Sequence, residues 1–146
     1  MAMHVLIVDD NESARAVLRA TCRMLGAVPT ACASAEEAQA TLPAQPFRLA
    51  LIDYHMPGTD GVVLARWLRD AAPRLRLVAT TADVTLRSDE AVHPGVFDKV
   101  LYKPLNMAAI AAEIAAAGVV AHAGPAGGGA VGGGAAGAGG LQAGVA

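Results

Sequence analysis

Apolar residues follow two alternating patterns along the first 117 positions. Short apolar-rich runs at His4–Val8, Val28–Cys32, Phe47–Ile52, Leu75–Ala79 and a fifth within Val96–Tyr102 predict strands. The first of them lacks the in–out alternation of a half-exposed strand, as expected of a strand covered on both faces. Between the first two runs, Ala14, Val17, Leu18, Thr21, Cys22 and Leu25 fall at i, i+3, i+4, i+7, i+8 and i+11, one helical stripe opening at Glu12 and closed by Gly26. Asp10 or Asn11 is placed to cap it. Ser34 followed by Glu37 has capping-box spacing and predicts a second helix ending before Pro43. A third helix is expected from about Gly61 to Ala71, with Asp60 as a candidate N-cap. A weakly striped fourth spans Val84–His93 before Pro94-Gly95, and a fifth carries Met107, Ile110, Ala111 and Ile114 on one face. Five strands alternating with five helices predict an α/β fold, a parallel doubly wound sheet flanked by helices, because parallel neighbours need crossover connections.

Composition changes this picture only at the C-terminus. The 146-residue chain is 54% hydrophobic with a mean hydropathy of +0.42, yet twelve of its 16 glycines lie in residues 118–146 and its last charged residue is Glu113. Glycine costs about 1 kcal/mol per residue in a helix relative to Ala, so this uncharged stretch reads as a flexible Gly/Ala-rich tail and not as a membrane span. The expected organisation is therefore one domain over residues 1–117 and a tail over 118–146. A net charge of −2 provides no drive toward nucleic acid or anionic membrane. The N-terminus lacks the basic segment and long apolar run of a secretory signal, which points to a cytoplasmic protein. Cys22 and Cys32 do not form a metal or redox motif at their spacing and read as small buried hydrophobes.

In such folds ligands bind outside the carboxyl ends of the strands. Polar residues collect there: Asp9 and Asp10 after the first strand, Asp53 after the third, Thr81 after the fourth and Lys103 after the fifth. Three converging carboxylates repel one another by about 4 kcal/mol per pair at 4 Å and an effective dielectric near 20, so a cation is needed among them. Hard oxygen donors without His or Cys suit Mg²⁺. With the Lys103 ammonium and the Thr81 hydroxyl, such a pocket can stabilise a phosphoryl group, and a carboxylate can itself be the nucleophile. Taken singly, each residue is better explained as a helix cap or a solvated loop charge; together, acids, hydroxyl and lysine at one edge of the predicted sheet point to a site.

Taken in order, Val8-Asp9-Asp10-Asn11, Asp53-Tyr54-His55-Met56-Pro57-Gly58-Thr59-Asp60-Gly61, Thr81-Ala82 and Lys103-Pro104 resemble the receiver domain of two-component response regulators over about residues 3–117. The wording of the motifs is similar to receivers attached to hybrid histidine kinases. The resemblance implies a flavodoxin-like sheet of strand order 2-1-3-4-5 and a phosphoryl group accepted on Asp53 from a histidine kinase or histidine phosphotransfer protein. It implies Mg²⁺ held by Asp9, Asp10, Asp53 and the backbone carbonyl of His55. Thr81, Lys103 and the Ala82 amide would contact phosphoryl oxygens, and a cis peptide would precede Pro104. The implied protein is a phosphoacceptor and not an enzyme acting on other substrates, with its output passed through a partner protein. An interaction module of the same fold that signals without phosphate is the alternative.

One position departs from the family pattern. Many receivers carry Tyr or Phe three residues before the lysine matching Lys103, where ring reorientation accompanies phosphorylation, and this chain has Val100. Tyr102 is expected to point to the opposite face and not to replace it. His55 and Asp83, two residues after Asp53 and Thr81, match family positions that flank the path of hydrolytic water.

Overall fold

A computed structural model describes residues 2–58, 61–83 and 95–118. Its elements are β1 (His4–Val8), α1 (Glu12–Met24), β2 (Val28–Cys32), α2 (Ala35–Thr41), β3 (Phe47–Asp53), α3 (Gly61–Ala71), β4 (Arg76–Thr81), β5 (Lys99–Tyr102) and α4 (Met107–Gly118), with a short 3-10 turn at Leu42–Ala44. The strands form one parallel sheet in the order β2-β1-β3-β4-β5. The predicted fold class is therefore observed. The helix expected at Val84–His93 and the Asp60 cap lie outside the described residues; α4 runs one residue into the expected tail, through Gly118, and the rest of that tail lies outside them as well. Among the described residues, no helix is long and apolar enough to cross a membrane.

The apolar run of β1 arises because both faces of the sheet are covered. Leu6 and Val8 of β1 point into one layer with Ala35 and Ala38 of α2 and Leu64, Ala65 and Leu68 of α3. Val5 and Ile7 point into the other with Leu18 and Cys22 of α1 and Ile110 and Ala117 of α4. Alternate strand residues thus serve opposite cores. Both cysteines are buried and free, as expected.

Helix ends follow the local chemistry. Asn11 caps α1 by accepting from the Ala14 N–H at 2.8 Å, and the Gly26 N–H donates to Arg23 while the Ala27 N–H donates to Cys22. That pair of bonds requires a left-handed residue between helix and strand, and Gly26 supplies it at φ 85°. Ser34 accepts from the Glu37 N–H, and Glu37 reaches back to the Ala33 N–H, one residue before the cap. The α1 stripe is narrower than its spacing implies: Leu18 and Cys22 are buried, whereas Val17 is 63% exposed at the margin of the helix.

Two ion pairs fix the far half of the sheet. Arg69 of α3 donates to the Leu75 and Val96 carbonyls and pairs with Asp98 at 3.1 Å; Asp98 also accepts from the Leu77 N–H. This network sets where β5 enters the sheet. Arg76 of β4 pairs with the buried Glu113 of α4 at 2.9 Å and ties the alanine-rich last helix to the sheet.

The expected orientation of Tyr102 is corrected. Val100 pairs with Ala79 and Tyr102 with Thr81, so Val100 and Tyr102 sit two residues apart on one strand and share a face. What separates them is depth: Val100 is buried and Tyr102 is half-exposed beside Thr81 at the strand end.

Candidate functional site

The carboxyl ends of β1, β3, β4 and β5 open onto one edge, where Lys103 pairs with Asp9 and Asp53 and Asp10 brings a third carboxylate close to them. Carboxylate oxygens of Asp9, Asp10 and Asp53 all lie within 4.8 Å of one another. Lys103 Nζ stands 3.1 Å from Asp9 Oδ2 and 3.8 Å from Asp53 Oδ1. Asp9 is 1% and Asp53 8% exposed, while Asp10 is open to solvent. β3 extends to Asp53 itself, level with Thr80 of β4, so the acceptor candidate is held by the sheet and not by a loop. The Tyr54 N–H continues this pairing to the Thr80 carbonyl at 2.8 Å.

Thr81 is fully buried, and β4 runs on to it beyond the apolar stretch. Its Oγ1 accepts from the Asp83 N–H at 3.0 Å, and its carbonyl accepts from the Lys103 N–H at 2.7 Å. The threonine and the lysine are thereby brought to adjacent positions across β4 and β5. The Lys103–Pro104 peptide is cis. On the loop after β3, the His55 N–H points at Asp53 Oδ1 from 3.4 Å, and the His55 ring stacks edge-on to Tyr54. His55 Nε2 lies 3.4 Å from Asp83 Oδ2, so these two residues bridge the loops after β3 and β4 across the rim of the site.

Charge and burial act together on Asp53. Burial, reinforced by the neighbouring Asp9 carboxylate, pushes its carboxyl from 3.8 up to about 6, against the opposing pull of Lys103 and the His55 N–H; Asp10 raises it further. One ammonium does not neutralise three carboxylates, and the cluster contains neither thiolate nor imidazole. The residues therefore fit a hard divalent cation with oxygen ligands.

Two contributors were not singled out from sequence. Gly61 opens α3 against the back of the acceptor: a Cβ there would collide with the Asp53 carbonyl oxygen and stand 3.1 Å from Tyr54 Cα. Arg15, in the first turns of α1, donates from Nη1 to the Asp9 carbonyl at 2.8 Å, a contact no periodicity announces.

Comparison with known proteins places this geometry in context. The family model described as the response regulator receiver domain matches residues 5–115. The chain is 35% identical over 111 residues to the response regulator protein FleR of Pseudomonas aeruginosa, covering 75% of this chain and 23% of that protein. It is 31% identical over 107 residues to the sensor protein TorS of Escherichia coli, covering 70% and 11%. The chain thus spans a minor part of these relatives. Among solved structures, a CheY-like receiver from Methanospirillum hungatei superposes with a TM-score of 0.72 at 22% identity, covering 80% of this chain and 93% of that one. The response regulator TrrA of Thermotoga maritima, solved in complex with Mg²⁺–BeF, superposes with a TM-score of 0.70 at 23% identity, covering 79% and 98%.

Proposed function

Because the chain belongs to the response regulator receiver domains, whose role is phosphorylation-based signalling, we propose that Asp53 is its phosphoacceptor, with Asp9, Asp10, Thr81 and Lys103 as the working site. The observation that carries this reading is the cluster of three carboxylates and one lysine at the end of the sheet, with Asp53 nearly buried at its centre.

The chemistry follows from the contacts. A carboxylate oxygen of Asp53 attacks the phosphorus of a phosphohistidine, the P–N bond breaks, and its electron pair leaves on the donor imidazole. Charge accumulating on the equatorial phosphoryl oxygens is met by the Lys103 ammonium, which already spans Asp9 and Asp53. The Thr81 oxygen accepts from the Asp83 N–H, which leaves the hydroxyl proton free to donate to a phosphoryl oxygen. Asp9, Asp10, Asp53 and the His55 carbonyl would hold Mg²⁺, which when bound neutralises the carboxylates and screens the incoming phosphoryl charge. The domain itself holds the acceptor rigid, because Asp53 is a strand residue backed by the close approach of Gly61.

The proposed donor is a histidine kinase or a histidine phosphotransfer protein, and the output runs through a protein partner. Incubation with acetyl phosphate and Mg²⁺ followed by intact mass tests the reading. A single phosphoryl adduct on the wild type that is lost in Asp53→Asn supports it; no adduct, or an adduct that persists in Asp53→Asn, overturns it.

A further inference from the structure

The Asp9 carbonyl is an unusual point in the site. β1 pairs with its neighbours only as far as Val8, so the carbonyl of the next residue lies beyond the ladder although Asp9 is almost fully buried. A buried carbonyl without a donor costs about 1–3 kcal/mol, which makes its partner a structural requirement of the loop. The partner is the half-buried Arg15 guanidinium, at 2.8 Å from the carbonyl. The remaining bonds of Asp9 hold other atoms: its N–H donates to the Cys32 carbonyl, its Oδ1 accepts from the Asn11 N–H, and its Oδ2 faces Lys103.

Asp10 is different. It is solvent-exposed, yet its carboxylate reaches the same cluster as the buried Asp9 and Asp53. The direction in which its Cβ leaves the chain is set by the backbone, because the planar peptide leaves only ψ of Asp9 and φ of Asp10 to rotate between the two residues. The carbonyl that Arg15 holds belongs to that peptide.

We propose that Arg15 is a positioning residue for the cation site: by gripping the Asp9 carbonyl it fixes the Asp9–Asp10 peptide plane and aims the Asp10 carboxylate at the cluster. This rests on the reading of the cluster as a Mg²⁺ site. The electrostatic sign makes the effect separable, because a guanidinium beside a cation site repels the cation, and deleting its charge would by itself tighten Mg²⁺. A positioning role has the opposite consequence.

Mg²⁺ titrated calorimetrically into wild type, Arg15→Met and Arg15→Lys decides between them. Loss of a group that orients a metal ligand typically costs 10–100-fold in metal affinity, and for a ligand as exposed as Asp10 we expect about tenfold in Arg15→Met. Arg15→Lys, which retains a charged donor, recovers most of that loss. Acetyl phosphate labelling of Arg15→Met returns close to the wild-type rate at saturating Mg²⁺. Should Arg15→Met fail to fold, Arg15→Gln replaces it, and the Lys variant must then bind Mg²⁺ more tightly than the Gln variant. Equal or tighter Mg²⁺ binding in the uncharged variant, or a loss that Lys does not repair, overturns the role of Arg15. A wild type that binds no Mg²⁺ overturns the cation reading on which it stands.

Discussion

Replacing Asp53 by Asn should make the metal-free protein more stable at neutral pH, even though it destroys the proposed acceptor. Burial and the Asp9 carboxylate push the Asp53 carboxyl from 3.8 up to about 6, so the native state keeps this proton to higher pH than the unfolded chain does. The sign follows directly: stability associated with Asp53 is full below pH 4 and is lost as pH rises through 6, where the native state must carry an extra buried negative charge. Such a rise corresponds to about 3 kcal/mol at pH 7.5. Solvent screening removes little of it, because the Asp53 side chain is only 11% exposed. Urea unfolding in EDTA at pH 7.5 and pH 4.5, followed by circular dichroism, measures the difference. At urea slopes of about 1–3 kcal/mol/M, the Asn variant should unfold about 1–3 M later than wild type at pH 7.5, with most of that gap gone at pH 4.5. Added Mg²⁺ should narrow the gap at pH 7.5 by stabilising the wild type preferentially. An Asn variant no more stable than wild type at pH 7.5, or a gap independent of pH, would refute the claim that burial and carboxylate crowding strain this site.

Three further outcomes follow. Gly61→Ala forces a methyl against the Asp53 carbonyl, so it should cost about 1–3 kcal/mol in urea unfolding and slow acetyl phosphate labelling; a wild-type labelling rate would remove the close approach from any role in holding the acceptor. Glu113→Ala strands Arg76, which is 22% exposed, and should cost about 2 kcal/mol of stability while leaving the labelling rate within twofold of wild type. Because His55 and Asp83 meet across the rim, His55→Ala and Asp83→Ala should shift the decay rate of the phosphorylated protein in the same direction, with the double variant no further displaced than the singles; wild-type decay in both would remove the pair from any role in hydrolysis.

Strand positions were legible because they obey a rule of composition. A run such as Val5–Val8 with no polar residue can only be covered on both sides, and the two cores that share its alternate residues are the reason. The strand-end acids, Thr81 and Lys103 were legible as a set because a parallel sheet delivers every strand end to one edge. Long-range partnerships were not. Arg15 to Asp9, Arg69 to Asp98 and Arg76 to Glu113 join elements whose relative placement depends on packing, and an arginine on a helix has no periodicity that names its acceptor. Tyr102 shows the opposite failure: its face follows from strand parity alone, and the register beside Thr81 makes that parity plain. The exposure of Val17 likewise reflects how α1 is rotated against the sheet, which a stripe of spacings defines only to within a neighbouring position.

The central claim is that Asp53, and no other carboxylate at this edge, carries the phosphoryl group. Borohydride reduction of the acetyl phosphate-treated, Mg²⁺-containing protein converts an acyl phosphate to the corresponding alcohol, and tandem mass spectrometry of its peptides locates that residue. The account predicts conversion of Asp53 to homoserine, dependent on Mg²⁺ and abolished by EDTA. Reduction at Asp9 or Asp10, or an unmodified Asp53 in protein that has taken up phosphate, would contradict it.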